Sequence, residues 1–304
     1  MERNNITSVV LLGFPGLHSF RLALFHLLIF IYLTTISGNL LVIALVSSTR
    51  SLHCPMYFFL TQLTTSDLIL SSDIVPNMVL VVLNTGSSIT LPACVTQLFF
   101  FAFSEASECF LLTVMSYDRY LAICHPLHYD SIMSSVVCIT FIVSSWILGF
   151  SVALTQSVNI SQLHFCRSNV IDHFFCEIDP ILDLSCSSVF MIKVLALVLC
   201  FPVLVCPFLI VIVSYVYIVF TILRLQSVTQ RLKAFTTCGS HLSVVSIFYG
   251  ALFSIYLTPQ TAQSAVLRKI FSMVYTVLTP LVNPLIYSLR NKDIKEAMRK
   301  HILL

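Results

Sequence analysis

Apolar residues run along this chain in seven long blocks, at about 22–47, 57–82, 93–124, 138–158, 192–223, 234–257 and 270–289. Each block is continuous rather than alternating, which speaks against strands and for helices. Each reaches the about 20 residues that a helix needs to cross the hydrocarbon of a bilayer. Ser131–Cys166, Val194–Leu223 and Ala234–Leu267 contain no Asp, Glu, Lys or Arg at all. The pattern predicts an all-α membrane protein, a seven-transmembrane helix bundle forming one domain over 1–304, with 1–21 before the bundle, 22–289 within it and 290–304 as a tail. Loops between blocks are short except Val158–Met191. Pro76, Pro202, Pro207, Pro280 and Pro284 fall inside helices, where neighbouring groups in a membrane bundle re-satisfy the freed carbonyls. After Arg290 the period changes. Ile294, Ala297, Met298 and Ile302 share one face and Lys292, Lys295, Glu296, Arg299 and Lys300 much of the rest, as in a short amphipathic helix lying on a leaflet.

Composition agrees with the pattern: 58% of residues are hydrophobic and only 10% charged, outside the range of soluble globular chains. Basic residues then orient the bundle. With the N-terminus outside, Arg50, Arg119, Arg224, Arg231, Lys233, Arg290, Lys292, Lys295, Arg299 and Lys300 lie inside. Arg3, Arg21, Arg167, Lys193, Arg268 and Lys269 lie outside. This asymmetry predicts the N-terminus outside and the tail in the cytoplasm. The formal charge of +3 suits an anionic inner leaflet, not nucleic acid. No apolar stretch with a cleavage site precedes the first block, which is expected to act as a signal anchor. Asn5-Ile6-Thr7 is a glycosylation sequon on the outer side, and Asn159-Ile160-Ser161 a second one close to a helix end.

Four cysteines, Cys94, Cys166, Cys176 and Cys186, fall on the oxidising side, and four allow three pairings. His173-Phe174-Phe175-Cys176-Glu177 also holds metal-ligand types, but a disulfide would consume Cys176. The other cysteines read as packing residues. Asp67, Asp73, Glu105 and Glu108 are carboxyls at membrane depth, and each needs a partner, a proton or water. On a 3.6-residue turn, Phe101, Glu105, Glu108, Leu112 and Arg119 form one stripe. Arg119 must face the interior or the cytoplasm, so the stripe points inward.

The third block closes on Met115-Ser116-Tyr117-Asp118-Arg119-Tyr120-Leu121-Ala122-Ile123-Cys124-His125-Pro126-Leu127-His128-Tyr129. An acid beside an arginine at a membrane boundary is costly and marks function. This run resembles the signature of vertebrate olfactory receptors, a branch of the rhodopsin-like G-protein-coupled receptors. Asp118-Arg119-Tyr120 is the part common to the wider class. The resemblance covers the whole chain: Gly38-Asn39, Pro55-Met56-Tyr57-Phe58-Phe59-Leu60, Ser214-Tyr215, Lys233 to Leu242, Phe248-Tyr249-Gly250 and Pro280-Leu281-Val282-Asn283-Pro284-Leu285-Ile286-Tyr287. Ser116 and Thr237 stand where the family leads one to expect Ala and Ser.

The resemblance implies a receptor for a small odorant, resident in the plasma membrane of olfactory cilia, with no catalysis of its own. It implies disulfides Cys94–Cys176 and Cys166–Cys186. It implies a buried polar centre of Asp67, Glu108, Asn39 and Asn283, able either to hold a sodium ion as an allosteric ligand or to share protons without one. Activation would release Arg119 from its neighbours and, with Asp118, Tyr120, Tyr215 and Tyr287, shape a cleft for the stimulatory olfactory G protein, raising cAMP. Ligand is expected at Phe101, Ala102 and Glu105, with Tyr249, Leu252, Phe253 and Tyr256 as facing walls by helical spacing and Thr276 from the seventh helix. Glu105 admits three roles: anion for a cationic odorant, neutral donor to an oxygenated one, or a carboxyl bonded to its own helix or to Asp73. A transporter would more often carry internal repeats. An intramembrane enzyme needs a nucleophile beside a base or a metal motif; neither H-E-x-x-H nor G-x-S-x-G occurs, and His26 and His241 lie near opposite ends of the bundle.

Overall fold

A computed structural model describes residues 6–259, 261 and 264–302; Asn5 and the side chain of Ile302 lie outside the described residues. Among the described residues, seven helices are long and apolar enough to cross a membrane. Helices one to four are unbroken, over Arg21–Ser48, Pro55–Leu83, Leu91–Cys124 and Ser135–Ser161. Each extends the apolar block by a few residues, and in helices two and three proline or a side-chain cap sets the start. Pro55 sits in the first turn of helix two. Helix three starts where the Thr90 hydroxyl accepts from the Ala93 N–H at 3.4 Å, with Pro92 in its first turn. Such a side-chain cap satisfies one orphan donor of the first turn.

Helix five (Phe190–Cys200 and Cys206–Arg224) is joined through a π-helical segment, Phe201–Val205. Helix seven (Ala265–Met273 and Thr279–Arg290) contains a second, Val274–Leu278. Prolines lie in or just after both segments: Pro202, Pro207 and Pro280. A proline removes one ladder hydrogen bond and crowds the carbonyl four residues back. A wider turn relieves that crowding. Helix six (Val228–Leu257) begins earlier than its apolar block, because Ser227 caps it through the Gln230 N–H at 3.5 Å. Arg231 folds back to donate to the Leu223 and Leu225 carbonyls, at 3.3 and 2.8 Å, at the end of helix five.

One end of the bundle carries structure that the apolar pattern does not announce. Ser8–Leu11 (β1) pairs antiparallel with Ser87–Thr90 (β2) and parallel with Val170–Ile171 (β3). Val9 and Leu11 point into the core, the alternation expected of a one-sided strand. The segment between helices four and five is pinned by disulfides Cys94–Cys176 and Cys166–Cys186 and contains a short helix, Ile178–Leu182. Gln97 adds a clamp: its side-chain oxygen accepts from the Cys176 N–H at 3.0 Å, and its amide donates to the Asp73 carbonyl at 3.0 Å. Lys269 of helix seven is buried here. Its Nζ donates to the Gly13 carbonyl at 2.8 Å and to Asp172 Oδ1 at 2.6 Å. Gly13 has φ +62°, and a Cβ there would collide with Val81, so the turn that presents this carbonyl needs glycine.

At the other end the tail forms a helix over Lys292–Ile302. Part of its apolar face packs against the bundle. Ile294 and Ala297 are buried in the core of the bundle. Tyr57 of helix two donates to Asn291 Oδ1 and Asp293 Oδ2, at 3.0 and 2.9 Å. Met298 is only partly covered, while Lys295, Glu296, Arg299 and Lys300 are exposed.

Candidate functional site: cavity, polar centre and arginine switch

Beneath the disulfide-pinned segment the helices part around a cavity of about 520 Å³, within the size range of small-molecule sites. Helix three supplies Phe101, Ala102, Glu105, Ala106 and Cys109. Helix four adds Val152 and Gln156, and helix six adds Leu252, Ile255 and Tyr256. Val203 and Leu204 come from the π segment of helix five and Tyr275 from that of helix seven. Glu177, Ile178, Asp179 and Leu182 form the roof, and Lys193 and Arg268 add cations. The lining is therefore largely apolar with a few polar groups, the usual make-up of a ligand site.

The expected ligand residues divide. Phe101, Ala102, Glu105, Leu252 and Tyr256 line the cavity; Tyr249, Phe253 and Thr276 do not. Tyr249 and Phe253 pack sideways on Phe208, with ring centroids 5.0 and 4.8 Å apart. Thr276 turns back to its own helix, donating to the Ser272 carbonyl at 2.7 Å. The last case lies in the π turn of helix seven. It widens the turn relative to an α-helix, and within it Tyr275 is the residue at the cavity wall. Phe101 stacks edge-on against Phe175 at 5.2 Å and reaches Tyr275 at 5.8 Å, closing the top of the stripe.

Glu177, which the residue pattern flags only as a metal-ligand type, is the second carboxyl at the cavity. It is the cap residue of Ile178–Leu182, yet its side chain makes no cap hydrogen bond. Its neighbour His173 lies 3.5 Å away, Nε2 to Oε2. Burial, with Lys269 and Arg268 adding to it, pushes His173 down to about 3. It is therefore neutral at neutral pH and no counter-ion. Burial pushes Glu177 up to about 7, against the pull of Arg268. Arg268 itself donates to Asp179 at 3.2 Å. No group of three or more His, Cys, Asp or Glu suited to a metal occurs among the described residues.

Deeper, Asp67 and Glu108 are fully buried. Asn283 donates to both Asp67 oxygens, at 3.1 and 3.0 Å. Asn39 donates to the Thr35 and Pro280 carbonyls at 2.9 and 3.0 Å, tying helix one to helix seven. Asn39 Oδ1, Ser71 Oγ, Ser104 Oγ, Ser107 Oγ and Glu108 Oε1 are buried without a hydrogen-bond partner. Buried oxygens are the donor type that hard cations take, and Asp67 and Glu108 are the residues that would hold one.

At the tail end, Arg119 donates through Nε to Asp118 Oδ2 at 2.9 Å and pairs with the same oxygen through a second nitrogen. Tyr129 donates to Asp118 Oδ1 at 2.6 Å. Asp118 beside Arg119, with a hydrogen bond to each oxygen, holds the arginine within its own helix. Tyr120 bonds His125 at 3.0 Å. Tyr215 meets His241 Nδ1 at 2.6 Å with the rings stacked, linking helices five and six. Tyr287 is buried with its hydroxyl unpartnered. The arginine and Tyr215 are thus held in separate local contacts, and the Tyr287 hydroxyl has no partner among the described residues.

Seven spanning helices, a roofed cavity at one end and an acid-held arginine at the other define a seven-transmembrane receptor. A family model described as "Olfactory receptor" matches residues 28–304. Human Olfactory receptor 11L1 is 45% identical over 303 residues, covering 99% of this chain and 94% of that receptor. Human Olfactory receptor 5G3 is 44% identical, covering 99% and 97%, and rat Olfactory receptor 1468 is 44% identical, covering 96% and 93%. The chain belongs to the olfactory receptor family: an odorant-sensing G-protein-coupled receptor and multi-pass plasma-membrane protein, not an enzyme. Its partners are a small molecule and a G protein.

Proposed function

We propose that a small, mostly apolar odorant binds in the cavity lined by Phe101, Ala102, Glu105, Leu252, Tyr256 and Tyr275, and that the receptor then activates the stimulatory olfactory G protein and raises cAMP. The observation that carries this reading is the cavity of about 520 Å³, walled by five helices and roofed by a segment held on Cys94. Odorant that prefers the active bundle shifts an existing equilibrium by its differential affinity. Because helices five, six and seven all touch the cavity, a ligand there acts directly on the elements that hold Tyr215, His241 and Tyr287. Separation of Tyr215 from His241 would free the inner end of helix six. Arg119, released from Asp118, then joins Tyr215 and Tyr287 to form the G-protein cleft.

The N-terminus faces outside in this reading, the cilia of olfactory neurons are the site of action, and sodium at Asp67 and Glu108 acts as an allosteric ligand of the resting bundle. The test is a cavity-filling change. Leu252→Trp should abolish odorant-evoked cAMP at matched surface level. An unchanged dose–response would place the ligand elsewhere.

A further inference from the structure

The polar groups at the cavity are not balanced. Arg268 is engaged by Asp179 at 3.2 Å. Lys193 is exposed at the rim. That leaves Glu105 and Glu177 as two carboxyls without a matched cation, from opposite boundaries: helix three below and the disulfide-held roof above. The Glu105 side chain lines the cavity and makes no hydrogen bond to its own helix or to Asp73 among the described residues. His173 cannot serve as counter-ion to Glu177 because it is neutral. Desolvated carboxyls without partners are unfavourable, and a cation placed between them relieves both. Phe101 and Tyr275 line the same cavity, and aromatic rings attract a cation further.

We infer that this receptor is tuned to amines: a small alkyl- or arylalkylammonium ion, its nitrogen between Glu105 and Glu177 and its hydrocarbon among the apolar walls. This rests on the cavity being the odorant site. A neutral alcohol or aldehyde would engage one carboxyl at most and leave the other unrelieved. A carboxylic acid would add a third acidic group and relieve neither carboxyl.

The test uses full-length receptor in cells with a cAMP reporter and surface staining. The probes are n-hexylamine, 2-phenylethylamine and their oxygen counterparts n-hexanol, 2-phenylethanol and hexanoic acid. At least one amine should activate, more potently than its alcohol. Glu105→Gln and Glu177→Gln should each raise the amine half-maximal concentration about ten- to a hundredfold, the range for losing a charge-assisted hydrogen bond, and Glu105→Asp should restore part of it. Silence toward both amines overturns the inference, as does equal potency of amine and alcohol, or an amine response indifferent to both glutamine variants. Leu252→Trp separates the two levels of the argument. If it abolishes the response to whichever probe activates while the glutamine variants change nothing, the site stands and the amine inference falls. If Leu252→Trp also changes nothing, the site itself is wrong.

Discussion

Replacing Gly149 by alanine adds one methyl group where helices three and four touch. The new Cβ would collide with Ser107 Oγ and stand 3.0 Å from both the Phe103 carbonyl oxygen and the Ser107 backbone nitrogen. The hydroxyl can rotate away, but the two backbone atoms cannot, so the helices must separate by a few tenths of an ångström. Small residues are what let membrane helices approach this closely. Overpacking of this kind costs about 1–3 kcal/mol, and alanine's better helix propensity returns up to about 1 kcal/mol. The net loss, about 0–2 kcal/mol and centred near 1, is set against a total stability of about 5–15 kcal/mol. Gly250→Ala is the matched control, because a Cβ there meets nothing within 4 Å. The assay is the half-inactivation temperature of detergent-solubilised, epitope-tagged receptor. Gly149→Ala should melt clearly below wild type and Gly250→Ala at or above it, with Ser107→Ala added to Gly149→Ala giving only partial recovery. Equal melting of the two single variants would refute the close-approach argument.

Four further predictions follow from the same geometry. Cys94→Ser or Cys176→Ser should abolish surface expression, since losing a native disulfide typically costs about 2–5 kcal/mol; peptide mapping that finds Cys94 free would contradict the pairing. Lys269→Met should strand the Asp172 carboxyl and the Gly13 carbonyl and lower surface level, with partial recovery in Lys269→Met/Asp172→Asn; normal expression of the single variant would count against the buried clamp. The Glu177 carboxyl, raised to about 7 by burial, faces His173 and Asp179 of its own segment, Arg268 and Tyr275 of helix seven, Glu105 of helix three, Lys193 of helix five and Tyr256 of helix six. A raised carboxyl stabilises the fold below its ordinary range and loses that stability as pH rises through about 7, so ligand-free receptor should melt higher at pH 6 than at pH 8, and Glu177→Gln should flatten the difference. Sodium should weaken odorant potency in wild-type membranes and have no effect in Glu108→Gln; equal sodium response in both would leave the polar centre to shared protons.

The spans were legible because hydrocarbon demands length and apolarity, and both are written locally in the chain. The inward stripe Phe101, Glu105, Glu108 and Leu112 was legible for a similar reason: helix three is regular throughout, so a 3.6-residue period places it. Irregularity is what escapes such reasoning. In the π segment at Val274–Leu278 the wall residue is Tyr275 rather than Thr276; Pro280 marks an irregular turn but not which residue it turns inward. Tyr249 and Phe253 lie on the right helix but turn to Phe208, a choice that depends on how two helices rotate against each other. The three-stranded sheet joins segments far apart in sequence, beyond any local period. Glu177 enters the cavity only because the Cys94–Cys176 bond carries its segment over the bundle. The tail helix was readable as amphipathic; its period does not show that Ile294 and Ala297 pack into the bundle, beside the Tyr57 bonds to Asn291 and Asp293.

The central claim is that ligand in the cavity frees Arg119 from Asp118 to engage a stimulatory G protein. Its most direct measurement is guanine-nucleotide exchange on purified stimulatory olfactory G protein, driven by membranes containing the receptor and an activating odorant. Exchange should rise with odorant for the wild type and stay at the odorant-free level for Arg119→Ala at equal receptor density. Odorant-driven exchange that persists in Arg119→Ala, or an activated receptor that drives exchange only on a different class of G protein, would contradict it.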